Sequence, residues 1–358
     1  MVALDWRMAF DAVNVDALLL GLQRFGLPSK YLRIIQHIYS DRRFIVDDDG
    51  TFSSQRQQRS GISQGCPLSP FIFIMLMTVV VHDTTEALNP KAQEHYSKGE
   101  LQPLLYADDT LVVSEHACSL QNTLDTISNV GARFGLALHW DKFQLLQING
   151  SFPLHAPDNT PIVSQECLSY LGCHIYANGS LKSELNRRLG IAWSLFCVLN
   201  DVWKHSTLST SRKLQIFHAV IVSRLLYGLA SAWLNTCETR RLDGFFCRCL
   251  RVVLRIPPAY FSRVPNSVVL EKARQRPLSR DLLKQQLTLF GRIARALASD
   301  PLRKLTFHQG LCNLLGPSMS GKLDGHETNG VLWSNKLQYN WTGGLYSTCL
   351  TCESGKNS

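Results

Sequence analysis

Two adjacent carboxylates, Asp108 and Asp109, stand in the middle of Leu104-Leu105-Tyr106-Ala107-Asp108-Asp109-Thr110-Leu111-Val112-Val113. The apolar, β-prone residues on either side predict a hairpin with the aspartates at its tip. Side chains alternate faces along a strand, so only one of the pair can point into a given site. An Asp-Asp pair also suits a plain turn, because Asp tolerates turn geometry. Other residues able to do chemistry surround this pair along the chain. Asp5 ends a short apolar strand at the start of the sequence. In Arg59-Ser60-Gly61-Ile62-Ser63-Gln64-Gly65-Cys66-Pro67-Leu68-Ser69-Pro70, two glycines and two prolines make a tight loop that lets another backbone or a ligand come close. Ser63 and Gln64 sit where such a ligand would be met, although an ordinary loop-to-helix entry has the same composition. Lys142 and the run Tyr170-Leu171-Gly172 follow the acidic pair.

The elements that must position these residues follow from periodicity. Asp16 is placed to cap a helix through Leu18, Leu22 and Phe25 that stops at Gly26, and a second helix covers Ser29 to Tyr39. Phe44-Ile45-Val46 and the stretch around Phe52 predict a hairpin joined by Asp47-Asp48-Asp49-Gly50. Asp-Gly between strands is a turn signal, and calcium-loop spacing is missing. Phe71 to Val81 reads as a buried helix, Ser119 to Phe134 as an amphipathic one ending at Gly135. Strands are predicted at Leu136–His139, up to Ile148, and as one strand with an internal glycine over Cys167–Ile175. From Lys182 the period turns helical, with apolar stripes over Leu185–Val202, Thr210–Trp233, Leu242–Val253 and Ser279–Leu297.

Charge is unevenly spread over the 358 residues. Residues 182–304 hold 22 Lys and Arg against 7 Asp and Glu, a net +15, while the remainder carries −6. An acidic first half with clustered aspartates, followed by a basic segment, suggests a metal site and a polyanion partner. A solvated basic helical surface gives the same count. The longest apolar run is well short of the ~20 residues of a membrane span, so no membrane partner is expected. Eleven cysteines without framework spacing, and no charged-then-apolar leader, argue against disulfides and for an intracellular location, nucleus or cytoplasm. Cys349 and Cys352 form a CxxC that His308 and Cys312 could complete, but unliganded cysteines are the expectation.

Taken in order, these motifs resemble the reverse transcriptase domain of LINE-type (non-LTR) retrotransposons. Asp5-Trp6-Arg7-Met8-Ala9-Phe10-Asp11 looks like its first palm motif, and Ser60 to Pro70 is close to its second. Tyr106-Ala107-Asp108-Asp109 looks like the catalytic hairpin, Gly135 through Lys142 the fourth motif, and Tyr170-Leu171-Gly172 the primer grip. A looser likeness extends through Leu225-Leu226-Tyr227-Gly228 and Cys247 to Arg251, to about residue 300.

The resemblance implies an α+β fold: a polymerase palm, with an antiparallel sheet backed by helices on a ferredoxin-like core, followed by an α-helical thumb. It places the palm with partial fingers at 1–180, a basic thumb or connection at 181–305 and a poorly defined tail at 306–358. The implied activity is RNA-directed DNA synthesis on an RNA template from a DNA primer, with deoxynucleoside triphosphates and two Mg²⁺ ions, or Mn²⁺. Asp5 and Asp108 would bridge the metals with Asp109 in support, and Lys142 would protonate the leaving pyrophosphate. Phe10, Ser63, Gln64, Gly65 and Tyr106 would meet the incoming nucleotide, the Phe10 ring excluding a 2′-hydroxyl unless it merely packs in the core. Tyr170, Leu171 and Gly172 would approach the primer. Arg187, Arg188, Arg212 and Lys213 would hold duplex phosphates. The chain departs from the family at Met8, where relatives carry lysine, and at Phe143, where threonine is usual. It also begins almost on the first motif, so it reads as N-terminally truncated, without its fingers and with its activity in doubt. The alternative is a non-catalytic nucleic-acid-binding remnant of such an element.

Overall fold

A computed structural model describes residues 1–312, apart from 206, 233, 299, 309 and 310. The chain divides into two units, Met1–Ser180 and a second that begins at Leu181.

In the first unit, β1 (Val2–Leu4) lies inside a five-stranded sheet. Its neighbours are β2 (Leu101–Tyr106), β3 (Asp109–Ser114), β4 (Gln144–Leu146) and β5 (Ser164–Gln165), in the order β2-β3-β1-β4-β5. All pairings are antiparallel except β4 with β5, which is parallel, so the sheet is mixed rather than antiparallel throughout. Short as it is, β1 is held on both sides: Leu4 pairs with Thr110 and Val2 with both Val112 and Leu145.

The two-residue period of these strands sorts their side chains. Val2, Leu4, Val112 and Leu145 enter a core built with the helices α1 (Ala9–Ala12), α2 (Val15–Phe25), α3 (Ser29–Tyr39), α4 (Ser69–Glu86), α5 (Pro90–Lys98) and α6 (Ala117–Arg133). The alternate residues Ala3, Leu111, Val113 and Leu146 meet Leu168 and Ile175 of a hairpin, β6 (Cys167–Tyr170) and β7 (Cys173–Tyr176). Both faces of the sheet are therefore covered.

Several predicted boundaries move, for identifiable reasons. Asn14, not Asp16, caps α2, its side chain accepting from the Ala17 amide at 3.0 Å. Leu136–His139 is not a strand: it runs beside Asp5–Arg7 through one bridge and two backbone hydrogen bonds. Cys167–Ile175 is two strands, because Leu171 and Gly172 both take positive φ (48° and 72°), the signature of a tight hairpin turn. Phe71 and Ile74 of α4 are exposed although Ile72, Phe73, Leu76 and Val80 are buried. Asp49-Gly50 is a turn as expected, with Asp47–Asp48 paired to Thr51–Phe52.

The second unit is helical. Leu181–Val198, Thr210–Ile216, Thr236–Val253 and Leu278–Arg295 are its main α-helices. The helix from Thr210 continues through a π segment, Phe217–Val222, to Ser223–Leu226. Trp203, Phe217 and Phe246 are fully buried, with Phe196 stacked on Trp203 at 5.0 Å. Of the four cations expected on the surface, Arg188 and Lys213 are buried. Arg188 pairs with Glu184 at 2.7 Å, as Arg187 does at 2.6 Å, and Lys213 Nζ donates to the Trp203 carbonyl at 2.8 Å. Arg212 is exposed, bonded to Gln215. Among the described residues no single helix is long and apolar enough to cross a membrane. The CxxC at 349–352 lies outside them.

Helical glycines give a direct test of packing. Alanine for glycine in a helix interior ordinarily stabilises by about 1 kcal/mol. At Gly131 a Cβ would stand 2.7 Å from the buried Trp6 ring, whereas at Gly190 and Gly244 it meets nothing within 4 Å. Gly131→Ala is expected to cost roughly 1–3 kcal/mol through overpacking. Gly190→Ala and Gly244→Ala should stabilise instead, and urea unfolding of the three variants reads the opposite signs.

Candidate functional site

The β2–β3 hairpin closes with Tyr106 paired to Asp109, leaving Ala107 and Asp108 as its two-residue turn. Ala107 adopts φ 57°, a left-handed conformation unusual for a residue with a Cβ. Beside the turn, β1 continues from Leu4, partner of Thr110, to Asp5. Strand pairing thus brings Asp5 to the Asp108–Asp109 end of the sheet. Trp6 fixes the exit of the strand: its Nε1 donates to Thr110 Oγ1 at 3.2 Å in a buried setting.

Electrostatics report the proximity. Burial first, then the negative charges of Asp108 and Asp5, push the Asp109 carboxyl above the usual range. Lys142, in a short 3₁₀ turn at Trp140–Lys142, places Nζ 3.2 Å from Asp5 Oδ2 and offsets part of this charge. Tyr170, at the end of β6, donates its hydroxyl to the Leu104 carbonyl at 3.4 Å. Burial, and then Asp109, raise its phenol. Asp5, Asp108, Asp109, Lys142 and Tyr170 therefore form one neighbourhood. Leu171 and Gly172 are the turn that follows it.

The glycine loop is organised by a separate set of contacts. Gly61 has φ 84°, and a Cβ there would lie 2.7 Å from the Asp11 carbonyl, so the close approach of a second backbone is real. Ser60 Oγ donates to that carbonyl at 3.1 Å, and the Ile62 amide donates to the Phe10 carbonyl at 2.7 Å. Gln64 Nε2 donates to Asp11 Oδ2 at 3.1 Å, and Ser63 Oγ accepts from Arg42 at 2.8 Å. Gly65 is exposed with open space around it, and Tyr106 is exposed. Phe10 stacks on Phe73 with ring centroids 4.5 Å apart, a core contact.

Arg42 escaped the reading of the sequence. Its guanidinium lies over the Tyr39 ring at 4.3 Å and donates to the Gly61 carbonyl and to Ser63. Burial lowers its pKa, and its Nε is buried without a hydrogen-bond partner. Nothing in the spacing of an arginine 19 residues before a glycine signals this contact.

Chemically, three carboxylates at one sheet end offer hard oxygen donors, the donor set Mg²⁺ prefers. Burial and then the charges of Asp108 and Asp5 raise the Asp109 carboxyl, and the repulsive part of that shift is what a divalent cation would relieve.

Residues 1–175 match the family model described as reverse transcriptase (RNA-dependent DNA polymerase). Among curated proteins, the chain is 24% identical over 324 residues to a retrovirus-related Pol polyprotein from the type-1 retrotransposable element R2 of Popillia japonica, covering 86% of this chain and 43% of that protein. It is 25% identical over 344 residues to a probable RNA-directed DNA polymerase from transposon BS of Drosophila melanogaster, covering 88% of this chain and 36% of that one. The chain thus spans less than half the length of these two relatives. Apo telomerase from Candida tropicalis aligns in structure with a TM-score of 0.40 at 13% identity, covering 85% of this chain and 51% of that one.

Linkage gives the pH sign. With its folded pKa raised, Asp109 binds more protons folded than unfolded between the usual carboxylate value and its own. Without metal, stability falls as pH rises through that window, and the deficit is complete above it. Asp108→Asn is expected to raise the metal-free stability at pH 7 by roughly a few tenths of a kcal/mol after solvent screening, and the melting temperature with it. Millimolar Mg²⁺ should stabilise the parent chain more than the variant, which scanning fluorimetry measures.

Proposed function

From the premise that residues 1–175 are a reverse transcriptase domain related to those of non-LTR retrotransposons, we propose that this chain is an RNA-directed DNA polymerase extending a primer 3′-hydroxyl on an RNA template. The observation that carries the reading is that strand pairing brings Asp5 to the Asp108–Asp109 end of the sheet, where burial first and then the two neighbouring charges raise the Asp109 carboxyl. In this reading Asp5 and Asp108 hold the ions and Asp109 supports them. Two divalent ions bound there supply activation of the primer hydroxyl and charge neutralisation on the leaving pyrophosphate. Lys142, now paired with Asp5, turns its ammonium toward the pyrophosphate and donates a proton to it.

The first-motif segment and the glycine loop act as one nucleotide platform. Phe10 and Gly61–Gly65 are tied through Asp11, and Arg42 locks Ser63 from behind. Phe10 packs on Phe73 in the core but is only half-buried, and the role proposed for the part left exposed is to exclude a 2′-hydroxyl, which would favour deoxynucleotides. Tyr170 with the Leu171-Gly172 turn carries the primer strand past Asp109, and the helical unit from Leu181 serves as thumb.

The net +15 of residues 182–304 favours a second reading, nucleic-acid binding without catalysis. Primer extension with an RNA template, DNA primer, Mg²⁺ and deoxynucleotides separates the two. Extension by the parent chain, falling below about 1% in Asp108→Asn, supports the polymerase, since losing a metal ligand exceeds the 10–100-fold cost of losing an outer-shell partner. Salt-sensitive duplex binding, equal in both chains and with no product from either, supports the binding reading.

A further inference from the structure

At the end of the β2–β3 hairpin away from Asp108, three side chains with metal-binding atoms meet. His95 is in the last turn of α5, Glu100 immediately precedes β2, and His116 follows β3. The chain turns sharply at Gly99 (φ 81°), and the Glu100 amide donates back to the His95 carbonyl at 2.9 Å. Glu100 is thereby fixed beside the histidine, and its own carbonyl accepts from the Glu115 amide at 3.2 Å across the hairpin base. The two imidazoles stack with centroids 3.7 Å apart. Glu100 Oε2 lies 3.1 Å from His116 Nε2 and 3.9 Å from His95 Nε2.

The geometry points to a divalent transition-metal site, best suited to Zn²⁺, held by His95 Nε2, Glu100 Oε2 and His116 Nε2 with water completing a tetrahedron. Zinc bonds of about 2.0–2.1 Å put ligand atoms about 3.4 Å apart. The three atoms here all fall within 4.8 Å of one another, and closure takes a rotation of the half-exposed His116 ring out of its stack on His95. Two imidazoles and one carboxylate suit zinc, whereas Mg²⁺ and Ca²⁺ take all-oxygen shells.

The second observation is the support behind the buried histidine. His95 is 8% exposed, and its Nδ1 is 2.7 Å from Oγ of Ser119, itself 1% exposed. With Nδ1–H donating to that hydroxyl, the Nε2 lone pair is left facing Glu100, the orienting arrangement that metal-bound histidines use. On binding, the ion takes the place of the proton shared between His116 and Glu100. A strand of six residues, about 20 Å, separates this site from the acidic turn. Its role is therefore to staple α5 to the base of the hairpin, not to take part in nucleotide chemistry.

Chelator-stripped full-length chain titrated with Zn²⁺, or with Co²⁺ as a spectroscopic probe, tests the site without any polymerase assay. One equivalent is expected to bind, with the comparatively intense d–d bands of tetrahedral cobalt and no thiolate charge-transfer band. Binding should be unchanged when Cys349 and Cys352 are both replaced by serine. His116→Ala, at a side chain 42% exposed, and the near-isosteric Glu100→Gln should each keep the circular dichroism of the parent and weaken binding by more than about 100-fold. Ser119→Ala should weaken it about 10–100-fold. Zn²⁺ should raise the melting temperature of the parent and of the double serine chain, but not of His116→Ala or Glu100→Gln. No tight equivalent, a thiolate band, loss of binding in the double serine chain, or binding that survives both His116→Ala and Glu100→Gln would each overturn the assignment.

Discussion

The double pairing of Val2–Leu4, with Thr110–Val112 on one side and Gln144–Leu145 on the other, is the constraint from which the acidic cluster follows. A strand of three residues would fray at a sheet edge. Between two partners its backbone groups are satisfied on both sides, and Asp5 is delivered beside Asp109 regardless of the repulsion between them. The cost of crowding like charges is met by apolar burial on both faces of the sheet and by the Trp6–Thr110 hydrogen bond. Trp6 in turn needs the bare backbone of Gly131 to seat its ring. One feature of α6 thus bears on a carboxylate with which it shares no hydrogen bond.

A similar chain of dependence holds the glycine loop. The backbone of Asp11 approaches Gly61 too closely for any side chain, and the carboxylate of Asp11 is engaged by Gln64. Arg42 closes the far side, keeping one buried nitrogen without a partner. A guanidinium is costly to desolvate, and this one is half-buried with its two terminal nitrogens paired to Ser63 and Gly61.

Much of this was legible in the amino-acid order. The hairpin over Leu104–Val113 followed from β-prone runs flanking a turn, and the helices at Ser29–Tyr39 and near Ser119–Phe134 from their apolar period. Asp49-Gly50 announced its turn. What stayed hidden was set by tertiary context. Leu171 gives no hint that it will adopt positive φ, so a hairpin passed for one strand. Asp16 and Asn14 are both capping residues, and only the path of the chain after Val13 selects between them. Arg188 and Lys213 look like any surface cations until Glu184 and the Trp203 carbonyl draw them inward. The group of His95, Glu100 and His116 has no sequence signature, because a helix terminus and the two ends of a hairpin assemble it.

Lys142 and Asp5 form an ion pair, with Nζ 3.2 Å from Oδ2. It makes the acidic end of the sheet self-neutralised in part, with an ammonium tethered where a cation would sit. A free monovalent ion gains little by evicting a tethered charge equal to its own, whereas a doubly charged one gains the difference. For the ions proposed at this end of the sheet, the lysine would favour a divalent over a monovalent one, by charge rather than by radius.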